Sequence, residues 1–138
     1  VVKEMIVPLL KGLAKTFEQC FRKPITVRYP EEKREIPERF RGHPRLLRDE
    51  QGRTKCVACM LCATVCPSLA ITIEPAEGAE MHIKYPKKYE IDLTRCIYCG
   101  FCEEACPVNA IELTRNYELS QYEKDKLIYD RDRLLKED

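Results

Sequence analysis

The chain has 138 residues, 34% of them charged and 44% hydrophobic, with a net charge of +1, which suits one compact domain with extensions. No run approaches the roughly 20 apolar residues of a membrane-spanning helix, and no nucleic-acid-binding module accompanies the basic residues, so no nucleic acid partner is expected. Nine cysteines would suit a secreted disulfide scaffold. The number is odd, however, and the N-terminal stretch is broken by Lys3, Glu4 and Lys11 and has no secretory pattern. Reduced, metal-binding thiols are expected instead.

Charge is spread unevenly. Residues 1–53 hold 13 Lys/Arg against 8 Asp/Glu, whereas residues 54–116 hold 6 against 8 and residues 117–138 hold 5 against 7. The basic first part favours an acidic partner surface or anionic lipid headgroups.

In chain order, Ile6, Leu10, Leu13, Phe17 and Phe21 recur at helical spacing over residues 5–22, with Lys11, Lys15, Glu18 and Arg22 on another face. This predicts an amphipathic helix, with Pro8 in its first turn or kinking it and Pro24 just beyond its end. Such a helix either packs on its own domain or docks, over residues 1–23, on a partner or membrane surface. Cys20 follows Phe17 on the apolar side and is expected to be a buried, inert thiol.

Residues 24–53 contain Pro24, Pro30, Pro37 and Pro44 and are expected to be an extended interface arm. "ITVRY" is predicted as a short strand, and a turn is expected at Gly52. Arg39, Arg41, Arg45 and Arg48 together read as a strip facing another subunit. His43 and His82 lack ligand-like companions and read as structural or surface residues.

Residues 54–116 carry a repeat. "CVACMLCATVCP" (56–67) and "CIYCGFCEEACP" (96–107) have the same cysteine spacing, and over 56–71 against 96–111 seven of sixteen positions are identical. An internal duplication is the simplest reading. Each half is expected to run as a cysteine loop, a helical turn and a strand ("AITIE", "AIELT"). "MHIKY" and "KYEID" are expected as strands between the halves. Over 117–138, Ser120 and Glu123 have the form of a capping box, and a short amphipathic C-terminal helix is predicted.

Each block reads C-x2-C-x2-C-x3-C-P. Three thiols on a tight loop can hold three irons of a cubane, while the fourth in this two-cluster spacing serves the other half's cluster. Cys56, Cys59 and Cys62 are therefore expected to share one [4Fe–4S] cluster with Cys106. Cys96, Cys99 and Cys102 are expected to share the second with Cys66. Structural zinc sites favour separated ligand pairs, which this spacing does not resemble. Pro67 and Pro107 fix the chain after each crossing ligand. Val57, Ile71, Ile73, Ile97, Ile111 and Leu113 are expected to wrap the clusters. Gly100 leaves room for backbone N–H groups to approach sulfur; Met60 stands at the matching position of the first block and is expected to alter its surroundings. There is no phosphate-binding loop, nucleophile–base pair or nucleotide fingerprint.

The two blocks resemble the bacterial-type ferredoxins with two [4Fe–4S] clusters, over residues 54–116. "RYPEEKREIPERFRGHPRL", "CVACMLCATVCP" and "NYELSQYEKDKLIYDRDRLL" together are similar to the subunit I (TYKY) family of proton-pumping NADH:quinone oxidoreductase, respiratory complex I. The resemblance implies an α+β, ferredoxin-like cassette with a pseudo-two-fold repeat, an N-terminal amphipathic helix, an extended arm and a C-terminal helical tail. It implies relay of electrons through two [4Fe–4S] clusters on the way from NADH and flavin to quinone, with no catalytic residues of the chain's own. The implied partners are a large iron–sulfur subunit upstream, a small subunit with the terminal cluster downstream, and a membrane-arm subunit at the quinone site. Peripheral membrane contact through residues 1–22, at the cytoplasmic face of a bacterial inner membrane, is implied as well. The competing readings are a ferredoxin-like subunit of a membrane-bound hydrogenase-type complex, a free two-cluster ferredoxin, and a zinc-binding interaction module.

Overall fold

The computed structural model describes residues 2–78 and 84–136, with side chains from residue 4 onward. His82, and "MHIKY" as far as residue 83, lie outside the described residues. The chain divides into two compact units, residues 1–35 and 36–138.

In the first unit, α1 (Val2–Gln19) is an 18-residue helix that continues through Pro8. Its apolar residues are well exposed, Leu10 at 57%, Leu13 at 66% and Phe17 at 62%. On the opposite face Glu18 accepts from Lys15 at 2.9 Å and Arg22 at 3.0 Å, and these two cations, Lys15 first, hold its carboxyl below the usual range. The expected burial of Cys20 is not found: the helix stops at Gln19, and Cys20 sits exposed in the turn after it. "ITVRY" forms no strand. Pro24 and Pro30 flank it, and neither has an N–H to give to a ladder.

The second unit holds everything else. β1 (Pro44–Leu46) pairs antiparallel with β4 (Ile111–Leu113). A three-stranded antiparallel sheet runs in the order β2 (Ile71–Glu77), β3 (Lys84–Asp92), β5 (Ile128–Asp130). Ile71 pairs with Ile91 and Ile73 with Tyr89, so alternate residues put large side chains on one face. The register shifts between Glu74 and Pro75, next to the Pro75–Pro86 pair, where neither residue has an N–H to donate. Two one-turn helices, α2 (Leu61–Thr64) and α3 (Phe101–Glu104), follow the cysteine loops.

This arrangement revises the division of the chain at residues 53/54 and 116/117. Residues 36–53 are not an arm apart from the cassette. Leu46 is 3% exposed in the core, and β1 closes the sheet with β4. Gly42 meets the opposite strand end so closely that a Cβ would stand 2.3 Å from the Asn116 carbonyl oxygen. The hydrogen bonds Gly42 N–H to Thr114 O (2.8 Å) and His43 N–H to Asn116 O (2.9 Å) account for that approach.

The C-terminal segment differs from the single helix expected there. It forms a 3-10 turn (Lys124–Leu127), β5, and the one-turn helix α4 (Arg131–Leu134). Ser120 caps nothing; the working cap is Asp130, whose carboxylate accepts from the Arg133 N–H at 2.9 Å. The reason is tertiary. β5 completes the sheet edge against β3, and Tyr129, Leu134 and Leu135 enter the core at 6%, 0% and 7% exposure. Burying such side chains contributes about 1.5–3 kcal/mol each, more than a short exposed helix can offer.

Candidate metal centre

The two cysteine blocks fold alike because the same backbone conformations recur 40 residues apart. Left-handed φ values occur at Ala58 (51°) and Tyr98 (53°), at Met60 (65°) and Gly100 (86°), and at Leu69 (50°) and Asn109 (47°). Non-glycine residues reach this region at a cost of about 1 kcal/mol or more. Each block accepts it because the tight loop has to turn its three cysteines to one side. Met60 thus takes the left-handed backbone conformation of Gly100, and at this position the two blocks differ in the side chain.

Two cavities result. The first, about 320 Å³ of space outside the protein atoms, is lined by Cys56, Cys59 and Cys62 from one block and Cys106 from the other. The second, about 380 Å³, is lined by Cys96, Cys99 and Cys102 with Cys66. The apolar linings cross over too. Val57 and Ile73 meet Ile111 at the first cavity, while Ile97 and Leu113 meet Ile71 at the second. Ile97 lines its cavity yet remains 62% exposed, so it shields less than expected. No Asp, Glu or His lines either cavity among the described residues.

The crossing cysteines are held by their own backbones. The Ala70 N–H donates to Cys66 Sγ at 3.4 Å and the Ala110 N–H to Cys106 Sγ at 3.1 Å. Both follow from a turn of the chain back over the sulfur after Pro67 or Pro107. Burial acts to raise the Cys66 thiol, but the Ser68 hydroxyl and the N–H groups of Ala70, Ser68 and Leu69 outweigh it and hold the thiol below its ordinary value. Burial pushes the thiols of Cys56, Cys62 and Cys96 up, and that of Cys102 up to about 12. Neutral thiols crowded in apolar pockets become good ligands only when a cation takes the place of the protons.

The donor set fits [4Fe–4S] clusters. Four thiols surround each apolar space, and N–H groups point at sulfur. A single tetrahedral zinc ion would draw four sulfurs to one point about 2.3 Å away. Among the described residues no three or more His, Cys, Asp or Glu converge in a way that could hold one ion.

Two neighbours were not found by sequence reasoning. Tyr89, 1% exposed, places its hydroxyl 3.4 Å from Cys62 Sγ. Burial, then the nearby Cys62, pushes its pKa far above the ordinary value, so it stays a neutral hydroxyl, able to donate to a deprotonated sulfur. Strand alternation could have turned Tyr89 inward, but nothing in the sequence aims it at a sulfur. Arg41, read as part of an outward strip, instead donates to the Cys99 carbonyl and pairs with Glu104 at 3.3 Å. Two of its companions are also engaged within the chain, Arg45 with Glu112 across β1 and β4 at 2.5 Å and Arg48 with the Gly52 carbonyl at 2.8 Å, while Arg39 stays exposed. His43 is 5% exposed, with Nδ1 3.1 Å from Thr114 Oγ1 and its ring edge-on to Tyr129, and it lines neither thiol cavity.

Residues 55–124 match the family described as a 4Fe-4S dicluster domain. The chain is 49% identical to NADH-quinone oxidoreductase subunit I 1 of Geobacter sulfurreducens, over 95% of this chain and 98% of that one. It is 44% identical to NADH-quinone oxidoreductase subunit I 2 of Geobacter metallireducens, again over 95% and 98%. With NADH-quinone oxidoreductase subunit I of Flavobacterium psychrophilum it shares 47% identity over 94% and 75%. Among solved structures it is similar to a chain of the membrane-bound sulfane sulfur reductase, an archaeal respiratory membrane complex. That likeness has a TM-score of 0.55 and 28% identity, covering 81% of this chain and 56% of that one.

Proposed function

Because the chain belongs to the NADH-quinone oxidoreductase subunit I family and contains a 4Fe-4S dicluster domain, we propose that its two thiol cavities form one stretch of the electron path from NADH to quinone. It is an electron-transfer subunit of NADH:quinone oxidoreductase with two [4Fe–4S] clusters. We assign one cluster to Cys56, Cys59, Cys62 and Cys106 and the other to Cys66, Cys96, Cys99 and Cys102. The observation that carries this assignment is the crossing of the linings, in which each cavity takes three thiols from one block and one from the other.

When bound, each cluster supplies reversible one-electron exchange, with a potential set by burial and hydrogen bonds to sulfur. The chain's own residues do the rest. The loops hold four thiols around each space. Ile73, Tyr89 and Ile111 at the first cavity, and Ile71, Ile91 and Leu113 at the second, exclude water. The Ala70 and Ala110 N–H groups and the Tyr89 hydroxyl place positive dipole ends on three of the sulfurs, which favours the more negative, reduced state. No side chain of the unit is asked to bind or transform a substrate.

The finer placement is part of the same proposal. Electrons arrive from a large iron–sulfur subunit and leave to a small subunit with the terminal cluster. Residues 1–22 dock at the junction with the membrane arm, peripheral to the cytoplasmic face of a bacterial inner membrane. The exposed apolar row of α1 beside its basic face supports this, and no helix among the described residues is long and apolar enough to cross a membrane.

The likeness to a chain of another respiratory membrane complex, an archaeal sulfane sulfur reductase, keeps a second reading in play, a ferredoxin-like subunit of a different membrane-bound complex, with the hydrogenase type as the case tested. Adding NADH to anaerobic membranes that carry the tagged full chain separates the two. Low-temperature EPR signals of this chain that grow with NADH, and co-purification with an NADH-oxidising assembly, are the expected result. Signals that respond to hydrogen and not to NADH would favour the second reading. Recovery of the whole chain in the soluble fraction at low salt would sink both.

A further inference from the structure

Arg41 stands out because its guanidinium hydrogen-bonds a backbone carbonyl within one of the two thiol loops. Its backbone is pinned by the bonds from Gly42 and His43 to Thr114 and Asn116, at 2.8 and 2.9 Å. From there its guanidinium crosses to the second block, donates to the Cys99 carbonyl and meets Glu104, at the end of α3, at 3.3 Å. The space it occupies exists because position 100 has no side chain. A Cβ on Gly100 would stand 2.9 Å from Arg41 Nε and 3.1 Å from its Cζ. In the first block the same backbone position carries Met60, whose left-handed conformation matches that of Gly100. One block fills the position with a thioether chain of its own, and the other leaves it open to a cation from 59 residues earlier.

We propose that Arg41 is a positioning residue for the second cluster, fixing the Cys99–Gly100 peptide and raising that cluster's reduction potential above what its cavity alone would set. The proposal rests on the ligand assignment given above. Two physical effects act together. A guanidinium holding the Cys99 carbonyl also fixes the Gly100 N–H, which points the opposite way within the same trans peptide plane, so rotation of the peptide dipole in the loop is opposed. The permanent positive charge also stabilises the state that has gained one electron. Glu104 offsets part of that charge, and the Arg41 side chain is 51% exposed, so solvent screening keeps the effect moderate. A change of about tenfold in the one-electron equilibrium is expected, which corresponds to about 59 mV.

The test uses the full chain reconstituted with iron and sulfide. Variants Cys56→Ser and Cys66→Ser first assign the two EPR signals, and redox titrations are then run on Arg41→Gln, Arg41→Lys and Gly100→Ala. Gly100→Ala keeps the arginine and displaces it, at the cost of a strained φ that Ala58 already shows the fold tolerates. Iron content unchanged, a second-site equilibrium shifted about tenfold toward the oxidised form in Arg41→Gln and Gly100→Ala, partial recovery in Arg41→Lys, and an unmoved first site are the expected results. An unmoved second site, or equal shifts at both sites, would overturn the proposal. So would loss of second-site iron in Arg41→Gln with no potential shift in Gly100→Ala, which would leave Arg41 a staple only. If Cys66→Ser removes the signal that Cys56→Ser removes, the ligand assignment fails, while an Arg41-dependent shift confined to one signal is still read.

Discussion

Replacing Cys66 by serine should remove the cluster that is distant in sequence and spare the one beside it. Cys66 is four positions from Cys62, yet the two thiols line different cavities. Cys66→Ser leaves the first cavity with Cys56, Cys59, Cys62 and Cys106 complete and reduces the second from four thiols to three. Iron should therefore fall from about eight per chain to about four, since each cubane carries four. The fold should tolerate the change. The substitution is close to isosteric, the Ala70 N–H can still donate to the new hydroxyl, and the position is only partly buried. A drop in thermal stability is nevertheless expected, because cluster binding ties residue 66 to residues 96–102 and that tie is lost. The measurement combines iron and acid-labile sulfide analysis with low-temperature EPR. Cys56→Ser and Cys96→Ser identify the first and second signals, and Cys106→Ser acts as the mirror experiment. Loss of the Cys56-dependent signal in Cys66→Ser, with the Cys96-dependent signal retained, would refute the crossed assignment.

Tyr89→Phe removes one hydroxyl without opening a cavity. It should lower the first-site potential alone and cost the folded chain about 1 kcal/mol, read by redox titration and thermal melting; an unmoved first site would show that the 3.4 Å contact with Cys62 does not bear on its sulfur. Leu134 is fully buried, so Leu134→Ala should destabilise the second unit by about 2–5 kcal/mol; a denaturation midpoint like that of the parent would exclude the C-terminal segment from the core. Once iron is stripped with a chelator, the unit should lose stability in alkali. The Cys102 thiol, raised by burial to about 12, stays protonated when folded while the unfolded thiol ionises, so its contribution is present below its ordinary pKa and is lost as pH rises toward 12. Alkaline melting that is flat across that window would contradict this. Deleting residues 1–22 should leave both EPR signals intact and weaken membrane assembly, measured by fractionation; loss of both clusters would tie the helix to cluster binding instead of docking.

Much of the site is legible from residue spacing because metal chemistry is local. Three thiols at intervals of three must share a loop, and the fourth followed by proline marks where the chain leaves it. The amphipathic row of α1 is likewise a short-range pattern that backbone geometry converts directly into a face. The C-terminal segment resisted the same treatment. Leu127, Ile128, Leu134 and Leu135 suit a helix by period, but a free edge on β3 converts 128–130 into a strand, and an edge in need of a partner has no local signature. Arg41, Arg45 and Arg48 misled for a related reason. A charged side chain in an extended, proline-rich stretch looks solvated until the fold brings Glu112, the Gly52 carbonyl or the Cys99 carbonyl within reach.

The sequence by itself determined that eight thiols recur in two blocks of one spacing, within a stretch that matches a 4Fe-4S dicluster domain, because spacing along a chain of fixed bond lengths limits which sulfurs can share a loop. Only the tertiary structure decided what surrounds them. The Tyr89 hydroxyl near Cys62 depends on a strand 27 residues further along. The Arg41 guanidinium over Gly100 depends on β1 closing against β4. Both are contacts between segments far apart in the chain, set by packing and not by local pattern. They make two cavities with equivalent thiol linings into two different electrostatic environments.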